Sequence, residues 1–184
     1  MLIHRLTDQQ NATDNNETVS EKICFVAALN MLLLLVIIFF AEVSSLKADV
    51  LFDFQMKMAI KGNAEAQFKV GEMYETGFGV KTDMKEATSW INKAADQGHT
   101  TANYKLLYWD MKKNGMKGGN KARYSDLVKK SKAGDGHATY YVGKTYAEGI
   151  GVKKNYDKAL DWLNKATFIG VLEAEREAVV VREK

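Results

Sequence analysis

Hydrophobic positions follow two different patterns along the chain. Residues 23–41 read ICFVAALNMLLLLVIIFFA, an apolar run interrupted only by Asn30. From about residue 49 onward, apolar residues instead recur every three or four positions in segments of about a dozen residues, which is typical of amphipathic helices. Proline, which breaks helix interiors, is absent from all 184 residues. The pattern predicts helices near 49–61, 64–76, 83–97, 100–113, 120–133, 136–148, 155–168 and 171–182.

The apolar run at 23–41 has two interpretations, and the sequence does not separate them. It is long enough to be a transmembrane helix, and it also fits the core of a signal peptide. Val43-Ser44-Ser45 offers a cleavage site. Residues 1–22 are polar, on balance acidic and predicted to be disordered, which is unusual before a signal-peptide core. With either interpretation, we expect the rest of the chain to be extracytoplasmic, as a periplasmic, secreted or membrane-anchored domain.

Glycine and alanine reveal an internal repeat. Gly62, Gly98, Gly134 and Gly170 are spaced 36 residues apart. Alanines keep the same interval at positions 66, 102, 138 and 174. Two series in register at one period indicate a repeat architecture, in which each closing glycine ends a helix.

The first and third repeat units match closely when they are aligned at this interval. Both have a helix, a Gly-x-Gly-Val turn and a second helix, and tryptophans occupy equivalent places. We predict that these tryptophans lie in the core and that small residues let the helices approach closely. The positions that define the repeat are Gly62, Gly71, Tyr74, Gly77, Gly79, Ala87, Trp90, Gly98, Gly134, Gly143, Tyr146, Gly149, Gly151, Ala159, Trp162 and Gly170.

This pattern resembles the Sel1-like repeat, a relative of the tetratricopeptide repeat. The resemblance implies an all-α fold, a right-handed α-solenoid of helix-turn-helix units, preceded here by the hydrophobic helix. The repeat domain would cover residues 49–184. Its units would lie at about 64–98, 100–134 and 136–170, with capping helices at 49–61 and 171–182.

The middle unit departs from the repeat although its length is kept. Larger or charged residues replace the small and aromatic ones at Leu107, Arg123, Asp126 and Lys130. We expect its second helix to bury a face that is rotated by about one residue, made by Tyr124, Leu127, Val128 and Ser131. The turn between the two helices of this unit, at residues 114–120, is predicted to be looser than its counterparts.

The residues that carry chemistry are few. Cys24, the only cysteine, lies in the apolar run, so the repeat region has no thiol. His99 and His137 each follow a repeat-closing turn and are interpreted as polar turn residues, since no third metal ligand accompanies them. We predict no catalytic residue, no metal, no cofactor and no small-molecule substrate, and therefore no enzyme. The net charge of +3 does not call for nucleic acid.

Binding of a protein partner is therefore the expected function, in an interaction or scaffold module. The resemblance places an aromatic column, Phe68, Tyr104 and Tyr140, on the concave side, followed one turn later by Glu72, Tyr108 and Lys144. An alternative is a binder of polyanions or anionic membrane surfaces; a cell-wall hydrolase is less favoured. That alternative would use the basic cluster of the middle unit, Lys112, Lys113, Lys117, Lys121, Lys129, Lys130 and Lys132, beside Arg123.

Overall fold

The structure, a computed structural model, describes residues 27, 29–36 and 48–184. The chain divides into two units, Met1–Val50 and Leu51–Lys184. In the first unit, residues 29–36 are helical and their apolar side chains are exposed. The polar stretch at 1–22 and most of the apolar run at 23–41 lie outside the described residues. Among the helices of the described part, none combines the length and apolarity needed to cross a membrane.

The second unit is built from stacked helix pairs, and the described residues contain no strand. This confirms the predicted all-helical class, and stacked pairs fit a solenoid. The observed helix ends differ from the predicted ones by about one residue. Helix α1 occupies residues 48–60. The other helices are α2 (Ala64–Thr76), α3 (Met84–Asp96), α4 (Thr100–Asn114), α5 (Asn120–Lys132), α6 (Gly136–Glu148), α7 (Tyr156–Phe168) and α8 (Leu172–Arg182).

The 36-residue period marks the turn that precedes each first helix. The closing glycines at 62, 98, 134 and 170 have φ angles of 92°, 84°, 99° and 101°, a left-handed conformation that disfavours other residues. The residue after three of them caps the next helix: side chains of Asn63, His99 and Asp135 accept hydrogen bonds from backbone N–H groups. The donors belong to the periodic alanines, which are almost fully buried.

Close approach of two helices forms the core of the regular units. A Cβ at Gly143 would lie 2.9 Å from Leu163 Cγ, so glycine is needed where α6 meets α7. Leu163 and its equivalent Ile91 are fully buried. Trp90 and Trp162, which are predicted to lie in the core, are only partly buried and pack against the edges of core clusters. The aliphatic residue that follows each tryptophan takes the central place beside the glycine, which leaves the indole on the flank.

The middle unit packs differently, as its sequence indicates. Leu107 stands where the other units have glycine and is itself buried, so α4 and α5 share much less contact than α6 and α7 do. The buried face of α5 is made by Asn120, Tyr124, Leu127 and Ser131. Leu127 keeps the place of Ile91 and Leu163, so the rotation is smaller than the predicted full residue.

The turn of the middle unit is ordered by specific contacts, which corrects the prediction of a loose loop. Asn120 is 1% exposed, and its side-chain amide donates a hydrogen bond to the backbone oxygen of Gly115 at 3.0 Å. Met116 packs against the core cluster of α4 and α6 and fills the space beside Gly151. These contacts replace the Gly-x-Gly-Val connector of the other units.

Candidate functional site

A groove runs across the first helices of successive units. Its volume is about 280 Å³. Helices α2, α4 and α6 supply most of its surface, and α8 contributes one residue. Five aromatic rings and a set of charged side chains share this surface. The lining residues are Phe68, Glu72, Glu75, Thr76, Thr101, Lys105, Tyr108, Trp109, His137, Tyr140, Tyr141, Lys144 and Glu173.

Lys105 lies in the groove wall between two carboxylates. Its Nζ is 2.9 Å from Glu72 Oε1 and 2.6 Å from Glu75 Oε2, and the side chain is 10% exposed. Burial acts to lower the pKa of Lys105, but the two carboxylates outweigh it and raise that pKa. The ammonium group also lies 5.5 Å from the Phe68 ring centroid and 5.8 Å from the Trp109 centroid. Lys105 is therefore charged, and its charge is already neutralised by α2.

A second charged network joins α4 to the end of α6. The Tyr108 hydroxyl donates a hydrogen bond to Glu148 Oε1, and Lys112 Nζ donates to Glu148 Oε2 at 2.8 Å. Burial and this carboxylate raise the pKa of Tyr108, so its hydroxyl stays protonated. Burial acts to raise the pKa of Glu148, but hydrogen bonds from Lys112 and Tyr108 lower it overall. The network holds one side of the groove in place.

Tyr140 lies within a group of carboxylates. Burial raises its pKa, and the charges of Glu177, Glu173, Glu72 and Glu75 raise it further. These four residues come from two helices, α2 and α8, on either side of α6. Lys144 Nζ approaches the same ring, 5.6 Å from its centroid, and lies 3.7 Å from Glu177 Oε2. This part of the groove thus combines an aromatic ring with an excess of negative charge.

Five of the six residues predicted for the concave column line this groove: Phe68, Glu72, Tyr108, Tyr140 and Lys144. The sixth, Tyr104, does not. It is 5% exposed and lines a separate cavity between α4 and α5, and its hydroxyl donates a hydrogen bond to Asp135 Oδ2 at 2.7 Å. The wider spacing of α4 and α5 leaves room for this ring, which is a structural role.

The predicted basic cluster does not form one surface of unpaired charges. Lys112 pairs with Glu148, and Lys130 pairs with Asp126 at 3.1 Å. Arg123 lies 3.5 Å from Asp110. Lys113 and Lys117 line a shallow cavity at the turn after α4. The other five lysines of the cluster are exposed and form no ion pair with any described residue: Lys113, Lys117, Lys121, Lys129 and Lys132.

The two histidines of the repeat region differ in role. His99 accepts the N–H of Ala102 through Nδ1, its Nε2 lies 2.9 Å from Glu65 Oε2, and its ring stacks on Phe68. His137 is exposed and lines the groove. Within the described part of the chain, no group of three or more His, Cys, Asp or Glu side chains could hold a metal ion.

Comparison with known families agrees with the geometry. The profile of the Sel1 repeat matches residues 64–99 and 136–167, which are the first and third units. The first and third units are Sel1-like repeats. The profile match omits the middle unit, where Leu107 and Arg123 replace the small residues of its neighbours.

Individual known proteins are similar to most of the repeat domain. Chitin synthase regulatory factor 3 of Schizosaccharomyces pombe is 29% identical over 136 residues, which cover 68% of this chain but 14% of that protein. A Sel1 repeat protein from Oxalobacter formigenes is 29% identical with a TM-score of 0.43 over 70% of this chain and 53% of the other. A protective antigen present in uropathogenic Escherichia coli strains is 26% identical, with a TM-score of 0.41, over 68% and 27% respectively. This chain therefore spans only part of each relative.

Sequence reasoning missed several residues of the groove. These are Glu75, Thr76, Thr101, Lys105, Trp109, His137, Tyr141 and Glu173. The Sel1 repeat period could have found some of them, because 101, 137 and 173 are equivalent positions, as are 105 and 141. The period alone does not show that α4 turns Lys105 and Trp109, and not Tyr104, toward the groove.

Proposed function

We propose that this Sel1-like repeat domain is a non-catalytic protein-binding module whose binding site is the groove across α2, α4, α6 and α8. The observation that carries the proposal is the joining of aromatic rings from three successive units on one continuous surface. Aromatic side chains bury large areas at low entropic cost, and they are enriched where proteins bind other proteins.

The form of the groove suits a polypeptide segment better than a small metabolite. It spans four helices, and its volume of about 280 Å³ lies at the small end of the range for small-molecule sites. Repeat proteins present extended surfaces of this kind to bound chains. The charged groups of the wall are held by ion pairs, as with Lys105, so the surface is organised before a partner arrives.

Site-specific photocrosslinking in cells tests this proposal. A photoreactive amino acid replaces His137, which is exposed in the groove, or Asp161, which is exposed on second helix α7. We expect a discrete crosslinked protein from position 137 that is absent from position 161. The adduct should disappear when Thr101→Arg fills the groove. Equal adducts from both positions, or an adduct that Thr101→Arg does not change, would contradict the groove as the binding site.

A second candidate function uses the exposed face of the middle unit. Lys121, Lys129 and Lys132 project from α5 without ion-pair partners among the described residues, which favours attraction to a polyanion or an anionic membrane surface. Two neighbouring lysines, Lys112 and Lys130, are paired, so this surface carries less unpaired positive charge than the sequence indicates. We rank it below the groove for that reason.

We also propose that the repeat domain lies outside the cytoplasm, either released by cleavage or tethered through residues 23–41. The support is the apolar run in the sequence. Fusion of reporter enzymes after Lys184 tests the location: a reporter active only outside the cytoplasm should be active. An active cytoplasmic reporter with an inactive extracytoplasmic one would reverse the topology. Sequencing the N-terminus of the mature protein separates cleavage near Ser45 from a retained anchor.

A further inference from the structure

We infer that the groove recognises a basic segment of its partner, with a Lys or Arg side chain bound beside Tyr140 at the carboxylate of Glu173. The inference rests on the proposed function, since it names the chemistry of the segment that the groove binds. The sequence alone would favour an acidic partner, because its most prominent charged feature is the basic cluster of the middle unit.

The charges around Tyr140 do not balance. Glu72, Glu75 and Glu173 line the groove, and Glu177 is close enough to act on Tyr140. Two ammonium groups, those of Lys105 and Lys144, oppose these four carboxylates. Among the lining residues alone, three carboxylates face two ammonium groups, so the groove keeps an excess of about one negative charge, although the whole chain has a net charge of +3.

The lysines of the groove are already engaged. Lys105 is bound by two carboxylates at 2.9 and 2.6 Å and is 10% exposed, so an incoming carboxylate would have to displace one of them. Lys144 is 21% exposed and lies 3.7 Å from Glu177 Oε2. An acidic partner would therefore bury its charge near four carboxylates, which costs free energy.

A basic side chain finds both of its favourable contacts at this place. Glu173 is exposed and forms no ion pair with the described residues, so its carboxylate can accept a hydrogen bond from the partner. The faces of Tyr140 and Trp109, both partly exposed, attract cations through their π electrons. Lys144 beside Tyr140 and Lys105 beside Trp109 occupy such positions within the protein itself.

Selection from a phage-displayed library of random peptides on the immobilised full chain tests the inference. We expect the enriched peptides to be rich in Lys and Arg and to lose binding to the Thr101→Arg variant, which blocks the groove from a position outside the core. A synthetic peptide of the enriched sequence then measures affinity by fluorescence anisotropy, in low and high salt.

Two matched variants test whether the Glu173 carboxylate contacts the peptide or acts only through the charge at the start of α8. Glu173 and Glu175 are both in the first turn of α8 and both exposed, but only Glu173 lines the groove. Glu173→Gln should weaken binding of the basic peptide about two- to fivefold at low salt, as expected for loss of one partly exposed ion pair. Glu175→Gln should leave the affinity within measurement error, and both variants should melt like the parent.

The outcomes distinguish the inference from the function on which it rests. Enriched acidic or uncharged peptides that still require an open groove would overturn the basic specificity and leave the groove as a binding site. An equal effect of Glu173→Gln and Glu175→Gln would also overturn the placement of the basic side chain. Peptides unaffected by Thr101→Arg, or no enriched peptide at all, would reject the groove and the inference together.

Discussion

Gly143 and Leu163 show how single residues set the distance between two helices. The first prediction concerns this pair. Gly143→Ala places a methyl group about 2.9 Å from Leu163 Cγ and 3.3 Å from the backbone nitrogen, so α6 and α7 must separate. We expect a loss of about 1–3 kcal/mol in the free energy of unfolding, measured by urea denaturation.

A double-mutant cycle provides the control for that prediction. Leu163→Ala alone should cost about 2–5 kcal/mol, because this side chain is fully buried. In the double variant the added methyl group no longer meets the Leu163 side chain. The loss of stability in the double variant should therefore be smaller than the sum of the two single losses by more than about 0.5 kcal/mol. Strict additivity would mean that the added methyl group does not meet Leu163.

A second prediction at the residue scale concerns Glu148, which receives hydrogen bonds from Tyr108 and Lys112. Its pKa in the folded protein is lowered below the ordinary value of 4.5. The ionised form therefore stabilises the fold above about pH 4.5, and this stabilisation is lost as the pH falls through the folded pKa. Thermal melts should show that Glu148→Gln destabilises the protein at pH 7 and that the difference shrinks by pH 3. A difference independent of pH would show that the ionised carboxylate contributes nothing.

The role of a residue could be predicted from the sequence where its position repeats. The direction of a side chain that could face either of two neighbouring helices could not be predicted. The closing glycines and the periodic alanines follow from the 36-residue spacing, because backbone geometry recurs with the repeat. Tyr104 shares a register with Phe68 and Tyr140 but faces α5 instead of the groove. That choice depends on the space between helices, which is set by residues in another element.

At the scale of elements, α5 is less well supported than its counterpart α7. Its side-chain N-cap is missing, because Gly119 precedes it, whereas Asn155 caps α7. Leu107 keeps α4 at a distance, so α5 packs mainly on α6. The sequence predicted that the middle unit departs from regular packing, but it overestimated the rotation of the buried face. It also missed the ordered turn, because Met116 and Asn120 act through contacts with distant or backbone groups.

The third prediction follows from this weak support. Backbone amides of α5 should exchange with deuterium faster than those of α7, measured by mass spectrometry of the full chain at neutral pH. The two helices have the same length, so α7 is a matched internal reference. Equal protection would mean that the contacts of Asn120, Tyr124 and Leu127 compensate for the lost contact with α4.

For the whole repeat domain, the arrangement of charged residues says more about the partner than the net charge does. The carboxylates of the groove belong to first helices, whereas Lys121, Lys129 and Lys132 belong to α5, the second helix of the irregular unit. The sequence indicates the lysines because they are adjacent along the chain. It does not indicate the carboxylates, because Glu72 and Glu173 come together only when the three units and the C-terminal helix α8 stack. A repeat period predicts which positions are equivalent, but not which unlike positions share a surface.

The fourth prediction tests, with one variant for each surface, whether the groove or the basic face of α5 binds the partner. The double substitution Lys129→Glu and Lys132→Glu reverses charge on α5, and Thr101→Arg blocks the groove. If the domain binds through the groove, crosslinking at position 137 should be lost in the second variant and kept in the first. Binding to heparin, a soluble polyanion, should show the reverse dependence and should weaken steeply with salt, because it rests on exposed lysines. Loss of the cellular crosslink in the charge-reversed variant alone would instead make the basic face of α5 the functional surface, since that variant leaves every groove residue unchanged.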